Sequence, residues 1–478
     1  MAARRDDAAA LLIAPVDLSA LSEISLSDTA LSGSAHLRDL ADIARDVHPD
    51  ATVTGRGPVP LLPSARALGV LDDVDDTREL GDALGDLLAA CGIDLLTTPL
   101  LDVAAGPDPA VGTDAFGEDP DLVTRHARAL ASGIRDAGVA VGARDFPGIG
   151  AIQRGEGSSL RLGQAELERT HLPPWELAPW LDAVVTAPVD VPALGTGSAS
   201  LAPWALALLE QISHGGYHGL VIAGRLETAA EQTGISLGEA AVQAVTAGAH
   251  LLELPPDAAS TEEALAALLA AEESGRLPEG LLAERSGATR RILRSLRARR
   301  RWLPTPEPAP AAERLAEVSG RIARAAVEAR RAVLDLRPAA VIDLTAPVRA
   351  GGGAGAPVAG GPVAGGPVAG APVEAAVDAA PGTGAHLVAA LRRHGIAVDS
   401  HAYAHDALAA PNLLVVTARP RGHDREAAQL QGILSRRPDA IVIHTGLARH
   451  APDAERRVLA HGGGPVMMAA AVAELMRS

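Results

Sequence analysis

Acid–base or nucleophilic chemistry in this chain has to come from carboxylates, because the other reactive groups are missing or misplaced. Apart from histidine, every basic side chain is Arg; without a lysine there is neither a Schiff-base amine nor a phosphate-loop ammonium. Cys91 is the only cysteine, which excludes a disulfide framework and a thiolate metal cluster. Its Ala89-Ala90-Cys91-Gly92-Ile93 setting suits a small buried hydrophobe, not the electropositive pocket of a catalytic thiol. His126, His214 and His218 have no carboxylate at metal-ligand spacing. His461-Gly462-Gly463-Gly464 resembles a hydrolase oxyanion loop, but no Gly-x-Ser-x-Gly elbow accompanies it. The candidates left are Asp102, Asp145, Glu156, Asp190 and Glu227. Glu156 could protonate a leaving group if burial raised its pKa, although a Gly/Ser-rich loop more simply holds it in solvent. Asp102 closes an apolar run, where tying loop amides is the plainer role. Arg144 and Asp145 make an adjacent polar pair, yet neighbours on a strand point to opposite faces, so one of them is expected to be structural.

The elements that must position these residues read as alternating strands and helices. Segments 11–16, 51–54, 93–101, 138–143, 183–187, 220–223 and 250–254 are short apolar runs of the kind buried in parallel sheets. Between them, 77–90 and 121–137 carry apolar residues at helical spacing with Arg and Asp on the outer face. Repeated units over about 300 residues suit a (β/α)8 barrel better than an open doubly wound sheet. No Gly-x-Gly-x-x-Gly follows the first strand, which argues against dinucleotide binding. Pro304 to Pro310 is a stiff spacer, followed by a charged helix over 312–331. Strands at 340–344, 412–417 and 440–444 and helices at 386–394 and 425–435 then form a smaller α/β domain. The expected organisation is a barrel over 1–303, a linker and helix over 304–335, and a C-terminal domain over 336–478. Within the latter, the Pro-Val-Ala-Gly-Gly repeat of 349–374 cannot form a packed core.

At 478 residues the chain is long enough for two cores. Its net charge of -17 argues against nucleic acid or an anionic membrane surface as partner. The first residues form no signal-peptide h-region, and no apolar run approaches about 20 residues, so the cytoplasm is the expected location.

Two stretches carry a family resemblance. Phe116-Gly117-Glu118-Asp119-Pro120 and Arg144-Asp145-Phe146-Pro147-Gly148-Ile149-Gly150 resemble the core signature of family 3 glycoside hydrolases, in the bacterial β-N-acetylglucosaminidase branch. There the second motif reads Lys-His-Phe-Pro-Gly-His-Gly, so Arg144 and Asp145 stand where the branch grips its sugar. The resemblance implies a (β/α)8 TIM-type barrel followed by a smaller α/β sandwich domain, no cofactor or metal, and an N-acetylglucosamine-containing saccharide as ligand; it leaves any protein partner unspecified. Retaining glycosidases need a carboxylate nucleophile and a proton donor about 5 Å apart. In the family the nucleophile is the first Asp of Ser-Asp-Asp-Leu at a barrel strand end. The matching stretch, His218 to Leu226, places Ala223, Gly224 and Arg225 at the Ser and two Asp positions, so Gly224 occupies the nucleophile position. The branch's Asp-Ser-His proton-donor loop is matched by Ala151 to Leu160, which contains no His. Gly112-Thr113-Asp114-Ala115-Phe116 carries Asp114 where the family's Gly-x-Arg-Ser-Phe has a sugar-holding Arg. Asp102 matches a family Asp at a strand end.

The expected pocket therefore comprises Asp102, Asp114, Arg144, Asp145, Gly224 and Arg225, with Asp102, Asp145, Glu156 and Glu227 as the remaining acids for catalysis. The leading expectation is a non-catalytic homologue that binds a saccharide or muropeptide or acts in regulation. The alternative is an active β-N-acetylhexosaminidase that hydrolyses cell-wall fragments with a relocated nucleophile.

Overall fold

The computed structural model describes residues 12–13, 16–17, 54–56, 62–155, 157–214, 216–255, 257–345, 383–399, 407–419 and 424–477. Its first sheet is wholly parallel and has eight segments: β1 (Leu12–Ile13), β2 (Val16–Asp17), β3 (Thr54–Arg56), β4 (Leu95–Leu100), β5 (Ala140–Phe146), β6 (Ala183–Thr186), β7 (Leu220–Ala223) and β8 (Leu251–Glu253). Their spatial order is β1-β8-β7-β6-β5-β4-β3-β2. Leu12 pairs with Leu252 at one end and Val16 with Gly55 at the other. The two end segments belong to one short stretch of chain, so the sheet curls round as the TIM-type barrel expectation requires. All four residues of β6 and of β7 are buried, which is why these strands read as unbroken apolar runs rather than alternating ones.

Helices α1 (Ala65–Leu71), α2 (Val74–Ala90), α3 (Pro120–Asp136), α4 (Pro203–Ile212), α5 (Leu226–Thr233), α6 (Leu237–Ala247), α7 (Ala258–Glu273) and α8 (Leu281–Arg300) alternate with the strands. Their starts are written in the sequence. Asp73 accepts from the Asp76 amide at 2.9 Å, Asp119 caps α3 ahead of Pro120, and Ser236 accepts from Glu239 N. Helices α2 and α3 cross at backbone contact distance. A Cβ on Gly81 would sit 2.2 Å from Leu130 O, and one on Gly133 2.3 Å from Arg78 O. Any side chain at either position would push the helices apart.

The second sheet follows α9 (Pro308–Ala326). It contains β9 (Glu328–Arg330), β10 (Ala339–Asp343), β11 (Val398–Asp399), β12 (Asn412–Thr417), β13 (Ile441–His444) and β14 (Arg457–Leu459), in the order β11-β10-β12-β13-β14-β9. Only β9 runs antiparallel. Helices α10 (Thr383–Arg393), α11 (Asp424–Leu434) and α12 (Pro465–Leu475) connect or flank these strands. Helix α9 joins the two cores: Leu315, Val318 and Ile322 belong to the barrel's cluster, Ala323 and Ala326 to the second sheet's. Its Arg314 reaches Asp82 and Asp86 of α2 at 2.9 and 2.5 Å.

Two local expectations change. The proline spacer is shorter than the sequence suggests, because Pro308 opens α9 at a position where no amide hydrogen is needed. The charged helix ends at Ala326, and Glu328–Arg330 becomes an exposed edge strand paired with Arg457–Leu459. The repeat of 349–374 lies outside the described residues. Among the described residues no helix is long and apolar enough to cross a membrane.

Candidate functional site

At the carboxyl ends of the barrel strands, eight residues line one small cavity: Thr97 of β4, Arg144 and Asp145 of β5, Val185 and Thr186 of β6, Gly224 and Arg225 after β7, and Glu253 closing β8. Strand alternation would send Arg144 and Asp145 to opposite faces. It fails here because Asp145 takes a left-handed conformation, φ 69°, and turns its carboxylate into the same space as its neighbour. The expectation that one of the pair is merely structural is therefore corrected: both line the cavity. Arg225 is also left-handed, φ 48°, and it precedes α5 without a side-chain cap. Its guanidinium donates to Asp145 Oδ1 at 2.7 Å, while Arg144 Nε donates to Oδ2 at 3.3 Å.

Asp145 is 6% exposed, and burial alone would push its pKa up. The two guanidiniums outweigh that effect and hold it below the usual carboxylate range. Arg144 is in turn held charged, first by Asp145 and then, against the cost of burial, by Glu253 and Asp114. Glu253 Oε2 accepts from the Arg225 amide at 3.2 Å. The floor is laced together by Ser200, whose hydroxyl donates to the carbonyls of Gly224 at 3.0 Å and Thr186 at 3.2 Å. The free volume left among these groups is about 10 Å³, roughly the space of one water.

Gly224 is closed in as well as unreactive. A Cβ there would lie 2.5 Å from Thr186 O, 2.7 Å from Val185 Cγ1 and 3.3 Å from Glu253 Oε2. A carboxylate side chain does not fit at this position in the present backbone.

The other expected site residues lie elsewhere. Asp102 is 1% exposed and turns away from the cavity into the loop after β5, where Oδ1 accepts from Ile149 N at 2.5 Å. Burial first, and the charge of Asp145 second, push its pKa well above the carboxylate range. Asp114 is exposed and does not line the cavity, although it lies within electrostatic reach of Arg144. Glu227 falls in the first turn of α5, beyond the lining residues. Asp190 contributes backbone, pairing with Ser159 and Ser198. Glu156 lies outside the described residues. Among those described, no group of three metal-ligating side chains converges.

Sequence reasoning missed Glu253, Thr97, Thr186 and Ser200. Glu253 had a readable signal, a lone acid at the end of an otherwise apolar strand. The hydroxyls had none, since their roles depend on which loop carbonyls lie above them.

Of the large aromatic side chains, Trp175 is fully buried edge-on against Phe146, with ring centroids 4.9 Å apart. Trp180 sits under Arg135 at 4.6 Å, and neither tryptophan lines the cavity.

Residues 47–294 match the family model of the glycosyl hydrolase family 3 N-terminal domain. A β-hexosaminidase of Nitrosomonas eutropha is 28% identical over 219 residues, which cover 43% of this chain and 62% of the relative. The β-hexosaminidase LpqI of Mycobacterium tuberculosis is 38% identical over 156 residues, 31% of this chain and 39% of the relative. The chain thus matches less than two thirds of the length of either. The solved family 3 β-N-acetylglucosaminidase of Paenibacillus sp. str. FPU-7 superposes with a TM-score of 0.73 over 98% of this chain and 96% of that one. At 23% identity this is a likeness of fold.

Proposed function

The chain belongs to glycosyl hydrolase family 3, and from that premise we propose that it is a β-hexosaminidase-like member that no longer hydrolyses glycosides and serves in saccharide binding or regulation. One observation carries this reading: the position where the family's nucleophile would project is a glycine with no room for a side chain, and Arg225 beside it fills the cavity by pairing with Asp145. Retaining hydrolysis needs a carboxylate free to attack the sugar and a second group free to donate a proton. Asp145 is held by two guanidiniums instead. A pyranose ring cannot enter a space the size of one water, so any saccharide would be met by the outer rim of the mouth.

A second reading rests on its own observation: two carboxylates, Asp145 and Glu253, share the cavity. In that reading one of them takes over as nucleophile after Arg225 swings out, and the substrate is an N-acetylglucosamine-containing cell-wall fragment.

Turnover of an aryl N-acetyl-β-glucosaminide separates the two. The non-hydrolytic reading expects no release of the aryl alcohol by the wild type, and none by Gly224→Asp. Turnover by the wild type that disappears in Glu253→Gln or Asp145→Asn would establish the second reading. Thermal shift with N-acetylglucosamine and anhydro-muropeptides then tests the binding role, since a ligand specific to the folded state raises its melting temperature.

A further inference from the structure

The carboxyl ends of the second sheet present a different kind of surface from the barrel mouth. Strand β14 leads through Ala460 and His461 into Gly462-Gly463-Gly464 and then α12, whose N-cap Gly464 supplies no side-chain acceptor. Among the described residues, the amides of Gly462, Gly463, Gly464, Val466 and Met467 have no hydrogen-bond acceptor. An N-terminal helical turn with unsatisfied N–H groups attracts negative charge.

The side chains around this turn point the same way. His461 is 2% exposed, and neither ring nitrogen has a hydrogen-bond partner. Glu328 Oε1 lies 3.8 Å from Nε2, close enough to pair with the ring when it is protonated, which leaves Nδ1 as the nitrogen with nothing opposite it. His386, on the first turns of α10, lies against the same loop with Nδ1 3.1 Å from Gly463 O, and its Nε2 is buried without a partner. From the barrel side, the Ser64 hydroxyl donates to His461 O. Arg66, two residues on, is close enough for its charge to act on His461, and its Nε is buried without a partner. Arg66 and Arg449 share one carboxylate, Glu118, and Arg449 Nη2 is also buried without a partner. Glu118 and Glu328 match the two guanidiniums in number, so what distinguishes the place is the set of unmet nitrogens beside a turn of open amides. Leaving this many buried donors unmet is costly unless something else accepts from them.

We infer that the Gly462–Gly464 turn, flanked by His461, His386 and Arg66 at the junction of the two domains, binds a phosphate-type oxyanion. The glycine amides and the α12 terminus would take the anion's oxygens, Arg66 would supply positive charge, and His461 would donate from a ring N–H, while His386, whose Nδ1–H is given to Gly463 O, would donate from Nε2 as the imidazolium. The site lies apart from the barrel cavity and stands whether or not the chain hydrolyses glycosides. The oxyanion could be free inorganic phosphate or the phosphate of a phosphomonoester.

Calorimetric titration of the full chain with inorganic phosphate and, separately, with phenyl phosphate tests this. Saturable binding of either is expected, and the one that binds identifies the source. Arg66→Gln and His386→Ala should each weaken binding at least about tenfold, the loss of one charge-assisted hydrogen bond. Their melting temperatures without ligand should stay close to wild type, and an Arg144→Gln control in the barrel cavity should bind as wild type does. No saturable heat with either anion would overturn the proposal. So would wild-type affinity in both Arg66→Gln and His386→Ala, or loss of binding in Arg144→Gln alone. If Arg66→Gln fails to fold, His386→Ala carries the test.

Discussion

The two sheets end their strands in opposite polar states. At the barrel mouth every charge is answered from within: Asp145 holds Arg144 and Arg225, and Glu253 takes the Arg225 amide. At the end of the second sheet imidazole and guanidinium nitrogens are left without a hydrogen-bond partner at His461, His386, Arg66 and Arg449. A fully satisfied buried network is rigid and self-contained, whereas a partly satisfied one is unstable unless an outside group completes it. The likeness to β-hexosaminidases draws attention to the first region, but the chemistry there is already complete. The second region, which apart from Arg66 lies in the part of the chain beyond the matched family model, is the one that lacks a partner.

The most damaging way to break the comparison is to remove the carboxylate that seals the mouth. Asp145→Ala leaves two half-buried guanidiniums facing each other and should cost about 3 kcal/mol of unfolding free energy, at the low end of the range for a buried pair that loses one partner. Asp145→Ala combined with Arg225→Ala should cost less than the two single losses added together, because each removes the other's reason for being buried. Urea unfolding of the three variants measures this. Additive losses would mean that the mouth is not a coupled network, and the contrast with the second sheet would fail.

Acid tests the histidines of the two sheets together. His444 donates from Nε2 to Leu447 O and accepts at Nδ1 from the Thr417 hydroxyl, and burial pushes its pKa down to about 4. His250 in the barrel accepts from Val221 N and is lowered to about 4 as well, mainly by burial. The sign follows from which state takes up the proton. Below about pH 6.5 the unfolded chain protonates these rings while the folded chain does not, so stability falls as pH drops from 6.5 towards 4. Each ring should account for about 2 kcal/mol lost between pH 7.5 and pH 5. His444→Gln should remove its share of that slope, read from melting curves across the range; an unchanged slope would mean that the ring is already protonated in the folded protein.

How much of this was legible beforehand varied with the kind of force involved. The barrel strands were readable because burial on both faces leaves unbroken runs such as Leu220–Ala223, whereas the apolar spacing alone started the first long helix at 77 and passed over its cap at Asp73, from which it begins at Val74. The loss of the family's nucleophile was readable at Gly224, but the closed backbone around it was not, since Thr186 O and Val185 come from a neighbouring strand. The sealing of the mouth was also hidden. It depends on left-handed conformations at Asp145 and Arg225; Asp adopts one more readily than most residues, but nothing in the sequence marks this Asp, and Arg carries no such tendency. The open donors near His461 were likewise invisible, because Arg66 and His386 are far from it in sequence and meet it only through the packing of the two domains.

Asp102 gives the finest discrimination. It is buried like Asp145, but its partners are loop amides rather than guanidiniums, and its pKa is raised instead of lowered. A raised folded pKa means that the unfolded chain releases its proton first, so Asp102 costs stability increasingly as pH rises above about 4. Asn keeps an oxygen for Ile149 N and has no proton to lose. Asp102→Asn should therefore change stability by less than about 1 kcal/mol near pH 4, where the wild-type carboxyl is still largely protonated, and its stability relative to wild type should improve steadily from pH 4 to pH 7. Asp145→Asn should instead cost a nearly constant amount between pH 5 and pH 7, because it removes a charge that two guanidiniums require, and that deficit should shrink only as pH falls below about 4. If Asp102→Asn instead loses ground as pH rises, Asp102 is ionised in the folded protein, and the strand ends of the barrel hold a second compensated charge rather than a neutral tie for the loop.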